Sequence, residues 1–412
     1  MKCILLAIGL LSFSTLTMQA QVRKHKVLFI IADGIPADVI EAQPTPNLKR
    51  IAKEGGYCRA YVGGEKKGYS QTPTISAVGY NSLLTSTWVN KHNVWDNDIA
   101  AQNYAYPSIF RFFKTAYPQK TTAIFSTWLD NRTKLVGDGL PQTGGLHIDH
   151  AVDGLEKDTV HFPHDKDSWY THLIDEEVAA KAAAYVRSDA PDLTWVYLEY
   201  SDDMGHRYGT SSPRMDSAVR MTDDMVGRIW DAMEYRRQNF NEDWEIYITT
   251  DHGRDARGGY GHGGQSDRER TTWIVTNAKG LNTYFKTAQP GIVDILPSMA
   301  RFLDVKIPTE NARELDGVPL TGAISLAQPV ATLENNMLHL GWKAYDKKGK
   351  VKIWVATTNN YKTGGHDDYK LLGEVPVSNE SAAISVKGMP ADFYKIVLEA
   401  PLNTVNRWAV VK

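Results

Sequence analysis

Short apolar runs alternate, over most of the chain, with longer stretches in which apolar residues recur every three or four positions. The short runs predict buried strands at residues 26–34, 120–128, 192–206 and 243–253. The longer stretches predict amphipathic helices at residues 45–56, 174–188 and 212–237. Because strands and helices alternate, the sequence predicts an α/β domain with a doubly wound, mostly parallel sheet and helices on both of its faces.

The pattern changes near residue 330. From there on, short runs rich in β-branched and aromatic residues are separated by Gly, Asn, Asp and Lys. Such runs are typical of a small all-β domain. We therefore expect a large domain over residues 21–325, a linker within residues 322–336, and a β-sandwich of the fibronectin or immunoglobulin kind over residues 331–412.

The first twenty residues, MKCILLAIGLLSFSTLTMQA, place Lys2 before an apolar run that ends in small and polar residues. This pattern predicts a signal peptide over residues 1–20 and export to the periplasm or the extracellular space. A membrane anchor is the alternative, although the run is short for one and contains four hydroxyl residues. Cleavage after Ala20 leaves Cys58 as the single cysteine, so no intrachain disulfide is expected.

Overall charge and composition add little about partners. The 412 residues carry a formal net charge of -2 and are 42% hydrophobic. A chain of this balance has no reason to bind a nucleic-acid duplex or an anionic membrane surface. No later segment has the length and apolarity of a transmembrane helix. Any recognition of phosphate must therefore come from local chemistry.

Acidic residues and histidines gather where predicted strands end. Asp33, Asp202 and Asp251 each follow a strand, at the edge where open parallel sheets bind ligands. Taken singly, each is explained as well by capping of the following helix. Carboxylate and imidazole together suit zinc, and two three-ligand sets are expected: Asp202, His206 and His262 in one, and Asp33, Asp251 and His252 in the other.

A candidate nucleophile lies in the segment QTPTISAVGYNSLLTSTWVNKHNVWDN, residues 71–97. Apolar residues at helical spacing follow Ser76, which places this serine at a helix N-terminus, where an oxyanion is favoured. A metal ion on its hydroxyl would make it a nucleophile near neutral pH. A serine that only caps the helix is the alternative.

Six segments together resemble the alkaline phosphatase superfamily, and most of all its nucleotide pyrophosphatase/phosphodiesterase branch: IIADGIPAD, TPNLKRIAKEGG, PTISAVGYNSLLTSTWVNKHNVWDN, SDDMGHRYG, TTDHGRDARGGYGHGG and VDILPSMARFL. The resemblance covers roughly residues 26–320 and implies an alkaline-phosphatase-like fold. It implies two divalent metal ions, Zn²⁺ by preference, on the six acids and histidines above. It also implies that Ser76, a ligand itself, is the nucleophile and that Asn97 contacts a phosphate oxygen. Thr74 is the alternative nucleophile.

The implied activity is hydrolysis of a small-molecule phosphate ester through a phosphoserine-type intermediate. No arginine follows Ser76 to clamp a monoester dianion, which favours a diester, unless Lys91, Arg132, Lys134 or Arg254 reaches in from another loop. A phosphomonoesterase and a non-catalytic module that binds a glycan or a protein remain alternatives. The substrate is left open among nucleotides, lipid head groups and glycan phosphates. A substrate wall could be formed by Tyr80, Trp95, Trp128, Asp130, Arg132 and Lys134, and packing of the aromatic residues against the helix is the alternative. Arg254 is the candidate for the entrance.

Overall fold

The computed structural model describes residues 23–410. The signal peptide expected over residues 1–20 lies outside the described residues. Within residues 23–410, no helix combines the length and the apolar character needed to cross a membrane.

A seven-stranded sheet forms the centre of the larger part of the chain. Its strands lie in the order β2-β7-β6-β1-β5-β3-β4. All pairings are parallel except those that β7 makes with β6 and β2. The strand bounds are β1 (Lys24–Ala32), β2 (Gly56–Tyr61), β3 (Thr122–Ser126), β4 (His150–Val152), β5 (Leu193–Leu198), β6 (Glu242–Thr249) and β7 (Thr271–Thr276). The predicted doubly wound, mostly parallel sheet is confirmed.

The sheet is covered by helices on both faces. Their bounds are α1 (Ala37–Ala42), α2 (Pro46–Glu54), α3 (Ser76–Thr85), α4 (Val89–His92), α5 (Ile109–Ala116), α6 (Trp169–Ser188), α7 (Tyr200–Tyr208), α8 (Pro213–Asn239), α9 (Asp267–Arg270), α10 (Thr283–Thr287), α11 (Ile295–Phe302) and α12 (Thr309–Ala312). Successive β1 side chains enter opposite cores, so that Phe29 and Ile31 belong to one cluster and Leu28 and Ile30 to the other. This double burial explains why β1 reads as a continuous apolar run.

Seven further strands form two antiparallel sheets at the C-terminal end. One has the order β11-β10-β13-β14 and the other the order β12-β9-β8. Side chains from both sheets, such as Leu340 and Ile353, share one apolar core. The segment predicted as a linker, 322–336, contains a strand and is not a free connection. The bounds are β8 (Leu326–Glu334), β9 (Met337–Ala344), β10 (Lys350–Ala356), β11 (Lys370–Pro376), β12 (Ser381–Ser385), β13 (Phe393–Glu399) and β14 (Thr404–Val410).

The topology brings three strand ends together. β1 lies between β5 and β6 and runs parallel to both, so their carboxyl ends meet at one edge of the sheet. The nucleophile candidate Ser76 is the first residue of α3, as the sequence predicts. Asp202 lies in the first turn of α7, directly after β5, and not in the strand itself. This edge is where ligands bind in open α/β sheets.

Candidate active site

The three aspartates predicted as metal ligands meet at this edge. Asp33 follows β1, Asp251 follows β6, and Asp202 follows β5 at the start of α7. The chain turns at Gly34, which has φ 65° and lies directly against the carboxylate of Asp202 and the guanidinium of Arg254. A side chain has no room there, and glycine is the residue that adopts this conformation without strain.

Asp33, Asp251 and His252 form the first cluster. All three are buried, and their ligand atoms lie within 4.8 Å of one another. His252 Nε2 is 3.2 Å from Asp251 Oδ2 and 3.5 Å from Asp33 Oδ1. Two oxygens and one nitrogen that converge in this way form a ligand set of the kind zinc takes.

The second cluster lies beside the first and is more open. Asp202, His252 and His262 also place their ligand atoms within 4.8 Å of one another. His206, which is exposed, approaches with its Nε2 3.2 Å from Asp202 Oδ2 and 3.0 Å from His262 Nε2. The structure therefore brings all six predicted residues together. His252 lies between the two expected sets, 4.0 Å from Asp202 Oδ1.

Backbone carbonyls orient two of the imidazoles. His252 Nδ1 lies 2.9 Å from the carbonyl oxygen of Gly253, and His262 Nδ1 lies 2.9 Å from that of Thr74. Each Nδ1 is a donor in these bonds, which leaves Nε2 as the free ligand atom. Such a second hydrogen bond, which fixes the tautomer and the ring, is a regular feature of metal-binding histidines.

The electrostatics of the cluster favour a bound cation. Burial, reinforced by the charges of Asp251 and Asp202, raises the pKa of Asp33 well above its ordinary value. Burial likewise raises the pKa of Asp251 to about 7 and lowers the pKa of His252 well below its usual range. Burial also acts on Asp202, but the Arg254 guanidinium and the hydrogen bond from His206 outweigh it and lower the pKa of this carboxyl.

Two buried carboxylate oxygens show where a cation fits. Asp33 Oδ1 and Asp251 Oδ2 have no hydrogen-bond partner among the described residues. A buried acceptor that lacks a partner is unfavourable unless an ion or a donor satisfies it. Both oxygens lie within reach of His252 Nε2. The donor set, its burial and these two oxygens together fit a divalent metal ion.

Ser76 has the better placed of the two candidate hydroxyls. Its Oγ lies 3.3 Å from His252 Nε2, and the residue is 7% exposed. The hydroxyl of Thr74 is used within the glycine-rich loop, where it donates to the Gly264 carbonyl at 2.9 Å and accepts from the Gly263 N–H at 3.0 Å. Thr74 thus supports the loop that carries His262, while Ser76 faces the ligand atoms.

Asn97 lies against the start of α3. Its Oδ1 accepts a hydrogen bond of 3.0 Å from the N–H of Ala77, the residue after Ser76. This bond fixes the orientation of the amide, so both N–H groups of the Nδ2 atom are left for another acceptor.

The basic residues that the sequence offered as substrate contacts are engaged elsewhere. Arg254 is fully buried and donates to the Asp202 carboxylate, to the Asp202 carbonyl at 2.7 Å and to the Gly34 carbonyl at 3.0 Å. The interpretation of Arg254 as an entrance residue is therefore wrong, because its buried guanidinium binds Asp202 and the carbonyl of Gly34. Lys91, Arg132 and Lys134 pair with Asp316, Asp153 and Asp130.

Tyr80 also differs from its expected role. It is completely buried and donates a hydrogen bond to Asp33 Oδ2, as Tyr197 does at 2.7 Å. It therefore lines no substrate wall. The sequence does indicate that Tyr80 lies near Ser76, because residues four positions apart share one face of a helix. Its partner Tyr197 lies in β5, more than a hundred residues away, and no local pattern links the two.

A mostly parallel sheet, with acids and histidines clustered near a hydroxyl at the N-terminus of a helix, is typical of the class of alkaline-phosphatase-like hydrolases. Within that class, the sequence model of the family "Type I phosphodiesterase / nucleotide pyrophosphatase" matches residues 27–257, more than half of the chain. The chain belongs to this family. The match includes every candidate residue of the site except His262, which follows shortly after its end.

Individual relatives of the same type are similar to this chain at low sequence identity. Human (Homo sapiens) ectonucleotide pyrophosphatase/phosphodiesterase family member 7 is 24% identical over 252 residues, which cover 57% of this chain and 49% of that protein. The chain spans about half the length of the ectonucleotide pyrophosphatase/phosphodiesterase relatives that it matches.

Two solved structures share the fold. Human ectonucleotide pyrophosphatase/phosphodiesterase 5 is 14% identical with a TM-score of 0.50, over 69% of this chain and 96% of that one. The Ps i-CgsB chain in complex with k-i-k-neocarrahexaose is 15% identical with a TM-score of 0.51, over 78% of this chain and 82% of that one. At these identities the likeness concerns the fold alone.

Proposed function

We propose that the protein is a metal-dependent phosphodiesterase that uses Ser76 as its nucleophile beside a pair of divalent metal ions, with Zn²⁺ as the ion that suits the ligands. The observation that carries the proposal is the cluster of Asp33, Asp251 and His252, whose imidazole Nε2 lies 3.3 Å from Ser76 Oγ, together with two buried carboxylate oxygens that have no partner among the described residues. Asp202, His206 and His262 would hold the second ion.

The reaction is an in-line displacement at phosphorus. Bound metal ions would supply Lewis-acid chemistry, which lowers the pKa of a serine hydroxyl and stabilises charge on phosphate oxygens. Ser76 Oγ loses its proton and forms the bond to phosphorus, while the bond from phosphorus to the leaving oxygen breaks and that oxygen takes up a proton. Water then attacks the phosphoserine on phosphorus, which restores the serine hydroxyl and releases the phosphate monoester.

The N-terminus of α3 is the proposed binding site for the phosphoryl group that is transferred. Ser76 is its first residue, so the positive end of the helix dipole and first-turn N–H groups that lack an acceptor within the helix lie beside the reacting oxygen. Asn97 adds two amide N–H groups, held in place by the bond from Ala77 to its Oδ1. We propose that these donors bind a non-bridging oxygen, where negative charge must be accommodated in the transition state.

The distribution of positive charge favours diesters over monoesters. Lys91, Arg132, Lys134 and Arg254, which would have neutralised the second charge of a monoester, are each paired with a carboxylate. A monoanionic diester needs no such partner. Small phosphate esters of nucleotides, lipid head groups or glycans are the proposed substrates. A phosphomonoesterase is the alternative within the family, and we propose that the protein acts after export.

The experiment compares bis-p-nitrophenyl phosphate with p-nitrophenyl phosphate, with and without a chelator. We expect the diester to be preferred, chelation to abolish turnover and Ser76→Ala to reduce kcat/KM by at least about 1,000-fold. Ser82→Ala, which removes a buried hydroxyl from the same helix, is the control. Preference for the monoester would overturn the diesterase proposal. Activity of Ser76→Ala within about tenfold of wild type would exclude this nucleophile.

A metal analysis separates an enzyme from a binding module. The proposed function requires metal to bind the purified protein at the six acids and histidines of the two clusters. A chain that takes up less than one zinc ion in excess Zn²⁺, and hydrolyses neither ester, would support the non-catalytic alternative.

A further inference from the structure

Two buried tyrosines converge on one oxygen of Asp33. Tyr80 Oη and Tyr197 Oη both donate to Asp33 Oδ2, and Tyr80 Oη also lies 2.8 Å from Tyr197 Oη. The other oxygen, Oδ1, is buried and has no partner among the described residues. The carboxylate therefore has one occupied side and one open side, and the open side lies 3.5 Å from His252 Nε2.

The two phenols come from different layers of the fold. Tyr80 lies on α3, one turn after Ser76, and Tyr197 lies on β5, next to the strand that carries Asp33. Tyr80 packs edge-on against Trp195, with ring centroids 6.4 Å apart, and its ring centroid is 5.0 Å from that of Tyr197. Asp33 is thus tied to the helix of the candidate nucleophile through Tyr80 and to the sheet through Tyr197.

Both hydrogen-bond donors to Asp33 are neutral phenols, and their lack of charge affects how the carboxylate can bind a metal ion. A phenol fixes a carboxylate by a hydrogen bond but leaves its negative charge available to a cation on the other oxygen. Groups of this kind, which orient a ligand without touching the metal, commonly change metal affinity by about 10–100-fold when removed. Asp202 differs, because its carboxylate is held by the Arg254 guanidinium.

We propose that Tyr80 and Tyr197 are positioning residues that select Asp33 Oδ1 as the metal-binding oxygen and hold it in register with Ser76. The inference rests on the proposed function, since it assumes that Asp33 binds a metal ion. It assigns a role to two residues that touch neither substrate nor metal.

The test measures Zn²⁺ binding by calorimetry on metal-free wild type, Tyr80→Phe and Tyr197→Phe. We expect two binding events in wild type, and in each variant a loss of about 10–100-fold in the affinity of one event only. Tyr247→Phe is the matched control, because Tyr247 is also buried and donates to a carboxylate, Glu245, at 2.9 Å, in a different part of the same sheet. It should leave both events unchanged.

The outcomes separate this inference from the proposed function. Unchanged affinities in both tyrosine variants would overturn the positioning role, and so would an equal weakening of both events, which would indicate a general effect on the fold. Wild type that binds no zinc would instead refute the proposed metal centre. Either variant suffices for the comparison, since each removes one of the two donors.

Discussion

Gly79 offers a test of how closely α3, the helix of the proposed nucleophile, must approach Asp251, a proposed metal ligand. It lies within α3, where alanine would ordinarily be favoured over glycine by about 0.5–1 kcal/mol. A Cβ at this position, however, would lie 2.7 Å from the carbonyl oxygen of Asp251 and 2.9 Å from its Cβ. Helix propensity and packing therefore predict opposite effects for Gly79→Ala.

The structure gives the size of the conflict. Ordinary contact begins at 3.4 Å, so α3 and the Asp251 backbone must separate by about 0.7 Å, the difference between 3.4 and 2.7 Å. Overpacking of this kind destabilises by about 1–3 kcal/mol, which exceeds the helix gain. We expect a net loss of about 1–2 kcal/mol in the free energy of unfolding, and a loss of about 10–100-fold in kcat/KM because Ser76 moves relative to Asp251.

Urea denaturation of the metal-free protein and kcat/KM for bis-p-nitrophenyl phosphate at saturating zinc provide the two measurements. Gly227→Ala in α8 is the control, since the three atoms nearest to a Cβ there all belong to the side chain of Asn47, which is not a residue of the candidate site. It should leave kcat/KM unchanged. A Gly79→Ala protein that is more stable than wild type and equally active would refute the argument from close packing.

Two further predictions concern stability away from the metal ligands. Lys91→Met should lower the free energy of unfolding in urea by about 3–5 kcal/mol, because it leaves the buried Asp316 carboxylate without its ion-pair partner. The double variant Lys91→Met with Asp316→Asn should recover part of this loss, because it also removes the buried charge. Burial raises the pKa of Asp294 to about 7, so between about pH 4 and pH 7 the native state holds a proton that the unfolded state has released, and stability falls as the pH rises across this range and levels off above it. Asp294→Asn should therefore reduce the loss of stability between pH 5 and pH 8, by at most about 1.4 kcal/mol per pH unit; an unchanged slope in denaturation series would contradict this.

The fold could be predicted from the sequence where a strand is buried on both of its faces. β1 is a continuous apolar run from Val27 to Ala32 because neighbours cover both of its faces, and β6 carries apolar residues at 244 and 246–248 for the same reason. β8 was taken for linker, and its conformation explains why. Gln328 has φ 55°, the pairing shifts register between Ala327 and Val330, and the apolar Val330 is exposed, so the alternating burial of the strand is not matched by alternating apolar and polar residues. A bulge of this kind changes which side chains face the core, and only the partner strand reveals it.

The candidate site was predictable where its residues adjoin strand ends, and less so where they act through distant partners. Asp33 and Asp251 follow β1 and β6 directly, so the topology alone brings them together. Arg254 looked like a loop residue because glycines surround it, but its carboxylate partner lies 52 residues earlier in the chain. A buried ion pair between a loop residue and the first turn of a distant helix leaves no periodic pattern in the sequence.

The two candidate metal-ligand clusters differ in the groups that donate hydrogen bonds to their carboxylates. This difference affects how strongly each cluster would attract a cation. Neutral phenols hold Asp33, whereas the buried guanidinium of Arg254 compensates part of the charge on Asp202. A carboxylate that keeps its full charge attracts a cation more strongly than one already paired with a cation. The three residues of the Asp33 cluster are all buried, and Nε2 of its His252 lies 3.3 Å from Ser76 Oγ, while the exposed His206 lies beside the Asp202 cluster. We therefore expect the enclosed Asp33 set to bind a divalent cation more tightly than the more open Asp202 set, and zinc titration of the metal-free protein should show two events of unequal affinity.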